Sequence, residues 1–79
     1  MALSPKQKRL VQLLHEGYRL RIVRSILNGL PVYTELLCPR NLCVETVQWW
    51  RIERMLRTRT LKLDSGNIAE ATHVVAADL

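Results

Sequence analysis

Asn28-Gly29, set between two runs of alternating polarity, constrains this chain more than any other short feature. Both residues tolerate the positive φ that the central positions of a type I′ turn demand, so the pair predicts a β-hairpin. On its N-terminal side, Tyr18-Arg19-Leu20-Arg21-Ile22 alternates apolar and basic, the period of a half-buried strand. A two-residue loop pairs Leu27 with Leu30, Ser25 with Val32, Val23 with Thr34 and Arg21 with Leu36. It sets Arg24 opposite Tyr33, near Glu35. The hairpin then runs over 19–27 and 31–37. Pro31 cannot donate to a ladder, which places that stretch at a sheet edge. Leu27, Leu30, Val32 and Leu36 share a face, more apolar surface than a lone hairpin leaves wet. That face either covers a helix or pairs with a second copy of the chain.

Helical signals flank the hairpin. Ser4-Pro5-Lys6-Gln7 combines a capping serine, a proline suited to the first helical position and a glutamine that completes a capping box. Leu10, Val11, Leu13 and Leu14 continue it as an apolar stripe, and Gly17 supplies the stop, so a first helix spans about 5–16. Pro39-Arg40-Asn41 breaks the chain after the hairpin. Leu42-Cys43-Val44 reads as a short third strand or an extended lead-in. Thr46 is a candidate cap for a second helix over about 47–58, with Trp49, Ile52, Met55 and Leu56 as its apolar stripe. Thr60 to Leu63 alternates again, Asp64-Ser65-Gly66-Asn67 is a turn, and residues 64–79 read as an acidic tail or a terminal strand returning along 60–64. A frayed or partner-bound end is the alternative for that tail.

The order helix, hairpin, helix, strand, turn, strand predicts a single α+β domain over 1–79 with a small winged-helix-like layout. Its 79 residues allow one domain with little core to spare. With no Phe, that core is built mainly from Leu, Val and Ile.

Charge is unevenly spread. Residues 1–63 hold all twelve Lys and Arg and four acids, a net +8; residues 64–79 hold three acids and no Lys or Arg, a net −3. A basic body with an acidic end points to nucleic acid or an acidic protein surface as partner. The densest patch is the outward face of the second helix, Trp50, Arg51, Arg54 and Arg57, followed by Arg59 and Lys62. Guanidinium groups can fork onto phosphates or guanine edges, and Trp50 can pack on a sugar, a base or a protein. Lys6, Lys8 and Arg9 form a second cluster in the first turns of the first helix, the end where the helix dipole favours acids. Arg19 and Arg21 form a third. The plain alternative for all three is a solvated surface.

Other classes lack their signatures. Cys38 and Cys43 have no second pair to complete a metal site, which leaves two thiols of a reduced cytosolic protein or a short disulfide loop. No run approaches the roughly 20 apolar residues of a membrane span. The start, Met1-Ala2-Leu3 before Ser4-Pro5, lacks a secretory pattern, so a cytoplasmic protein is expected. No nucleophile stands at motif spacing from a base, and three glycines make no phosphate loop. A non-enzymatic binder without metal or cofactor is the expectation.

Three stretches resemble a family. Leu3-Ser4 through Gly17, a hairpin, and a basic helix running into Leu61-Lys62-Leu63, together about 3–65, are similar to the small winged-helix-like bacterial YjhX-type proteins, described as inhibitors of topoisomerase I. The chain departs from them in Trp49-Trp50 and in its tail. The resemblance implies an inhibitor of a nucleic-acid enzyme, of the kind carried by phage or mobile elements, and assigns no residues. Two functions follow as expectations: a DNA-binding or regulatory protein reading through the second helix, or a protein-binding inhibitor or adaptor anchored by Trp50. A homodimer through the hairpin is a third.

Overall fold

The computed structural model describes residues 3–78; Met1, Ala2 and Leu79, which close the predicted domain and its tail, lie outside them. Helix α1 spans Pro5–His15. Its capping box forms: the Gln7 amide donates to Ser4 Oγ at 3.2 Å and the Ser4 amide to Gln7 Oε1 at 3.1 Å. Past the helix, Gly17 takes φ +101°. The Tyr18 amide then donates to the Leu13 carbonyl and the Gly17 amide to that of Leu14, a Schellman closure.

Strands β1 (Arg19–Arg24) and β2 (Pro31–Leu37) form the hairpin, but not in the expected register. Leu20 pairs with Leu36, Arg21 with Glu35, Ile22 with Thr34 and Val23 with Tyr33, one residue away from the two-residue-loop alignment. The connection is longer. The Ser25 amide donates to the Leu30 carbonyl and the Gly29 amide to that of Ser25. Only Gly29 takes positive φ there, at +70°. Asn28 instead accepts the Leu30 amide on Oδ1, and Ser25 Oγ accepts the Leu27 amide. These local side-chain bonds stabilise the wider loop. The decisive term is cross-strand matching. The expected register sets Arg21 beside Leu36 and therefore Ile22 beside Glu35. The observed one sets Leu20 against Leu36 and Arg21 against Glu35, and a one-residue slip would turn every side chain over.

Strand β3 (Cys43–Gln48) is longer than the short strand read from 42–44, and helix α2 (Trp49–Arg57) starts directly off its end. Thr46 is not a cap. It lies within β3 opposite Glu35, held extended by pairing with β2. The N-cap is Gln48, without a side-chain capping bond. Pro39-Arg40-Asn41 makes the β2–β3 turn: the Cys38 amide donates to the Leu42 carbonyl, and Asn41 sits in the left-handed region at φ 69°.

Strands β4 (Leu61–Leu63) and β5 (His73–Ala76) complete one antiparallel sheet in the order β3-β2-β1-β5-β4. The described residues thus form a small α+β domain of two helices and a five-stranded sheet. β5 pairs with both β4 and β1, so the tail strand is interior to the sheet. β2 also has two neighbours; Pro31 is accommodated at its first residue, before pairing with β3 begins, and not on an edge. Both helices pack on the sheet face that carries Leu20, Ile22, Leu36, Val47, Leu61 and Val74, closing a core with Leu10, Leu14, Ile52 and Met55. Buried Thr34 is satisfied by donating to the Val47 carbonyl at 3.1 Å. Of the four apolar residues assigned to one hairpin face, Leu36 is buried, whereas Leu27, Leu30 and Val32 are exposed with Ile26 around the loop.

Arg24 ties that loop down. Its guanidinium donates to the carbonyls of Gly29, Ile68 and Ala71, joining the β1–β2 loop to the β4–β5 connection. The shifted register removes it from Tyr33, since it now pairs with Pro31.

Candidate functional site

The α1 stripe that buries Leu10 and Leu14 also carries Lys6, four residues before Leu10 and hence on the same helix face. On α2, Ile52 and Met55 face the core, while Trp50, Arg51 and Arg54 lie at the edge of that face or outside it. Packing the two helices on one sheet face therefore brings the two basic clusters together. Ser4, Lys6, Gln7 and Leu10 form one wall of a cleft of about 370 Å³; Trp50, Arg51 and Arg54 form the other, above Val47 and Met55. Through Lys6 and Arg51 it continues into a recess of about 270 Å³ beside Arg9 and Glu45. Through Ser4, Gln7 and Arg54 it opens at its other end into a groove of about 640 Å³ bordered by Arg57, Thr58 and Thr60.

The charge in this groove is mostly uncompensated. Lys6 and Arg51 have no ion-pair partner among the described residues. Arg9 meets Glu45 at 2.6 Å, and Arg57 lies 3.9 Å from Glu53, an exposed pair that contributes little. Arg54 stacks over Trp50 with its guanidinium carbon 5.8 Å from the ring, a cation–π contact of about 0.5–1 kcal/mol at an exposed site. Trp50 is 60% exposed. Neither helix has an acid in its first turn, so nothing local offsets the positive ends of their dipoles.

The remaining candidates stand apart. Lys8 is exposed on α1 and borders none of the three recesses. Arg59 follows α2 in the left-handed region, at φ 60°. Lys62 alternates with core-facing Leu61, so it projects from the opposite sheet face, where it has an intramolecular partner. Arg19 and Arg21 are engaged within the chain, with Asn41 and Glu35.

A second polar cluster escaped the sequence reading. Asp64 accepts the Thr72 amide at 3.0 Å and the Thr72 hydroxyl at 2.8 Å, and Thr72 Oγ1 lies 2.9 Å from His73 Nδ1. The Thr72 hydroxyl thus bridges the Asp64 carboxylate and the His73 ring. The arrangement closes the 64–72 connection. The Thr72 hydroxyl bond holds the Asp64 carboxyl below its ordinary range. Cys38 and Cys43 are free thiols flanking the β2–β3 turn, and bonding to the Leu42 backbone lowers the Cys38 thiol. Among the described residues no group of three or more His, Cys, Asp or Glu is placed to hold a metal ion, and no helix is long and apolar enough to cross a membrane.

Comparison with protein-family models, with curated proteins and with solved structures found no match. The functional reading therefore stands on the groove.

Proposed function

We propose that the chain is a small winged-helix-like nucleic-acid-binding protein that acts by binding and not by catalysis. In this reading α2 supplies most of the contacts and the β4–β5 hairpin is the counterpart of a wing. The observation that carries it is the convergence of Lys6 from α1 with Arg51 and Arg54 from α2 on one groove, beside an exposed Trp50. Cations held without carboxylate partners along a recess favour a polyanion, and binding of this kind releases counterions. The test is a salt titration of DNA binding by the Arg51→Ala/Arg54→Ala protein. Two lost phosphate contacts should weaken binding and reduce the slope of log affinity against log salt by about two. An unchanged slope refutes the reading.

A second reading, a protein-binding inhibitor or adaptor of a nucleic-acid enzyme, is favoured by a different observation. Ile26, Leu27, Leu30 and Val32 crowd the exposed hairpin loop, a larger apolar cluster than isolated surface leucines make.

A further inference from the structure

We infer that the α1–α2 groove takes a single nucleic-acid strand, with a base stacked on Trp50, in preference to the outside of a duplex; the inference rests on the nucleic-acid reading above. A helix that reads a duplex enters a major groove about 12 Å wide, which requires its reading face to stand out as a ridge. Here that face is a wall. Arg51 and Arg54 look across a cleft at Ser4, Lys6 and Gln7 of α1, and its floor is Val47 and Met55. A cleft of about 370 Å³ is in the range that encloses a small molecule, and so suits a nucleotide unit.

The spacing of cations agrees. Arg51, Arg54 and Arg57 recur every third residue of α2, which at 1.5 Å per residue spreads them over about 9 Å. That is the reach of two or three nucleotides along one strand. Arg9 extends the track past Lys6 at the far end, where Glu45 lines the recess. A cationic track with an aromatic platform beside it is the combination that binds single strands with little sequence preference. Trp50 supplies the only exposed indole, since Trp49 is half-buried against the core. Arg54 already lies over the Trp50 ring, so a stacked base would sit in a sandwich or displace the guanidinium toward a phosphate.

The experiment compares an oligothymidylate with the same strand annealed to its complement, at low salt, by tryptophan emission and by anisotropy of a labelled strand. The single strand should bind at least tenfold more tightly and quench the emission. Trp50→Ala should weaken single-strand binding by roughly 5- to 150-fold, and Trp50→Phe should restore most of it. The exposure of Trp50 keeps both variants foldable, and circular dichroism verifies this. Equal or tighter duplex binding, with no Trp50-dependent quench, overturns the single-strand inference and leaves the nucleic-acid reading standing. Binding of polyglutamate with no binding of either nucleic acid overturns both.

Discussion

Arg59 occupies a position that glycine suits better, and the consequence is measurable. α2 ends as α1 does. The Thr60 amide donates to the Met55 carbonyl at 2.9 Å and the Arg59 amide to that of Leu56 at 3.1 Å, a Schellman closure with the left-handed residue at 59. In α1 that residue is Gly17; in α2 it is an arginine at φ 60°. An L side chain in this region costs about 1–2 kcal/mol. Glycine relieves the cost but gives back about 0.4–1 kcal/mol through its freer unfolded chain. Arg59→Gly should therefore stabilise the domain by about 0.5–1 kcal/mol, since the Arg59 side chain has no hydrogen bond or ion pair among the described residues. For a domain of this size the melting temperature should rise by roughly 2–8 °C. The reciprocal change, Gly17→Ala, should lower it. The added Cβ would meet only Pro39 Cγ at 3.6 Å, an ordinary contact, so the net loss of about 0.5–1 kcal/mol would be backbone strain less what alanine gains by stiffening the unfolded chain. Thermal melts followed by circular dichroism decide the matter. If Arg59→Gly melts at or below the parent temperature, the strain argument is wrong and the arginine side chain stabilises the cap by some other contact.

Two further substitutions test the framework around the groove. Arg24→Ala removes the guanidinium bonds to Gly29, Ile68 and Ala71, so it should cost about 1–3 kcal/mol and speed amide exchange in the 25–30 loop and the 65–71 connection together; unchanged exchange in either would show that they are not coupled. Asp64 has a depressed folded pKa, so its contribution is present above the unfolded carboxyl value and is lost as pH falls through the lower folded one. Asp64→Asn should accordingly be less stable than the parent in urea at neutral pH, with the gap closing at strongly acid pH; a gap that persists there would mean that packing, not charge, is what Asp64 supplies.

The hairpin shows how much of this fold the sequence carries and where a local rule misleads. Asn28-Gly29 marks the reversal correctly and β2 keeps its expected span, but β1 ends at Arg24 and not at 27 because the wider loop takes up residues 25–30. The turn pair alone gives the wrong register. Laying the alternation of 19–24 against that of 31–37 excludes the two-residue loop, since it sets Ile22 against Glu35. Long-range matching outweighs turn preference here because each mismatched pair would bury a charge or expose an apolar side chain. The third strand runs beyond its local signal at 42–44 for a related reason. Thr46 is a good local cap, but the pairing of 43–48 with β2 holds its backbone extended, and that pairing appears only when two distant segments are compared.

The groove was half legible. Lys6 and Leu10 are four apart, so Lys6 extends the buried stripe of α1 past its apolar end, whereas Lys8 turns away from it. That puts Lys6 at the border of whatever α1 packs beside, a distinction the clustering of Lys6, Lys8 and Arg9 by sequence does not make. On α2, Trp50 and Arg54 are also four apart and therefore stack. What helical periodicity cannot give is which two helices share a sheet face. That depends on the strand order, and the order depends on β5 entering between β1 and β4. The insertion leaves α1 on β5 and α2 across β2, β3 and β4, side by side on one face. The same tail that reads as an ambiguous acidic end is thus what sets the two basic helices facing each other. Truncating it would remove the strand under α1 and, with it, the groove.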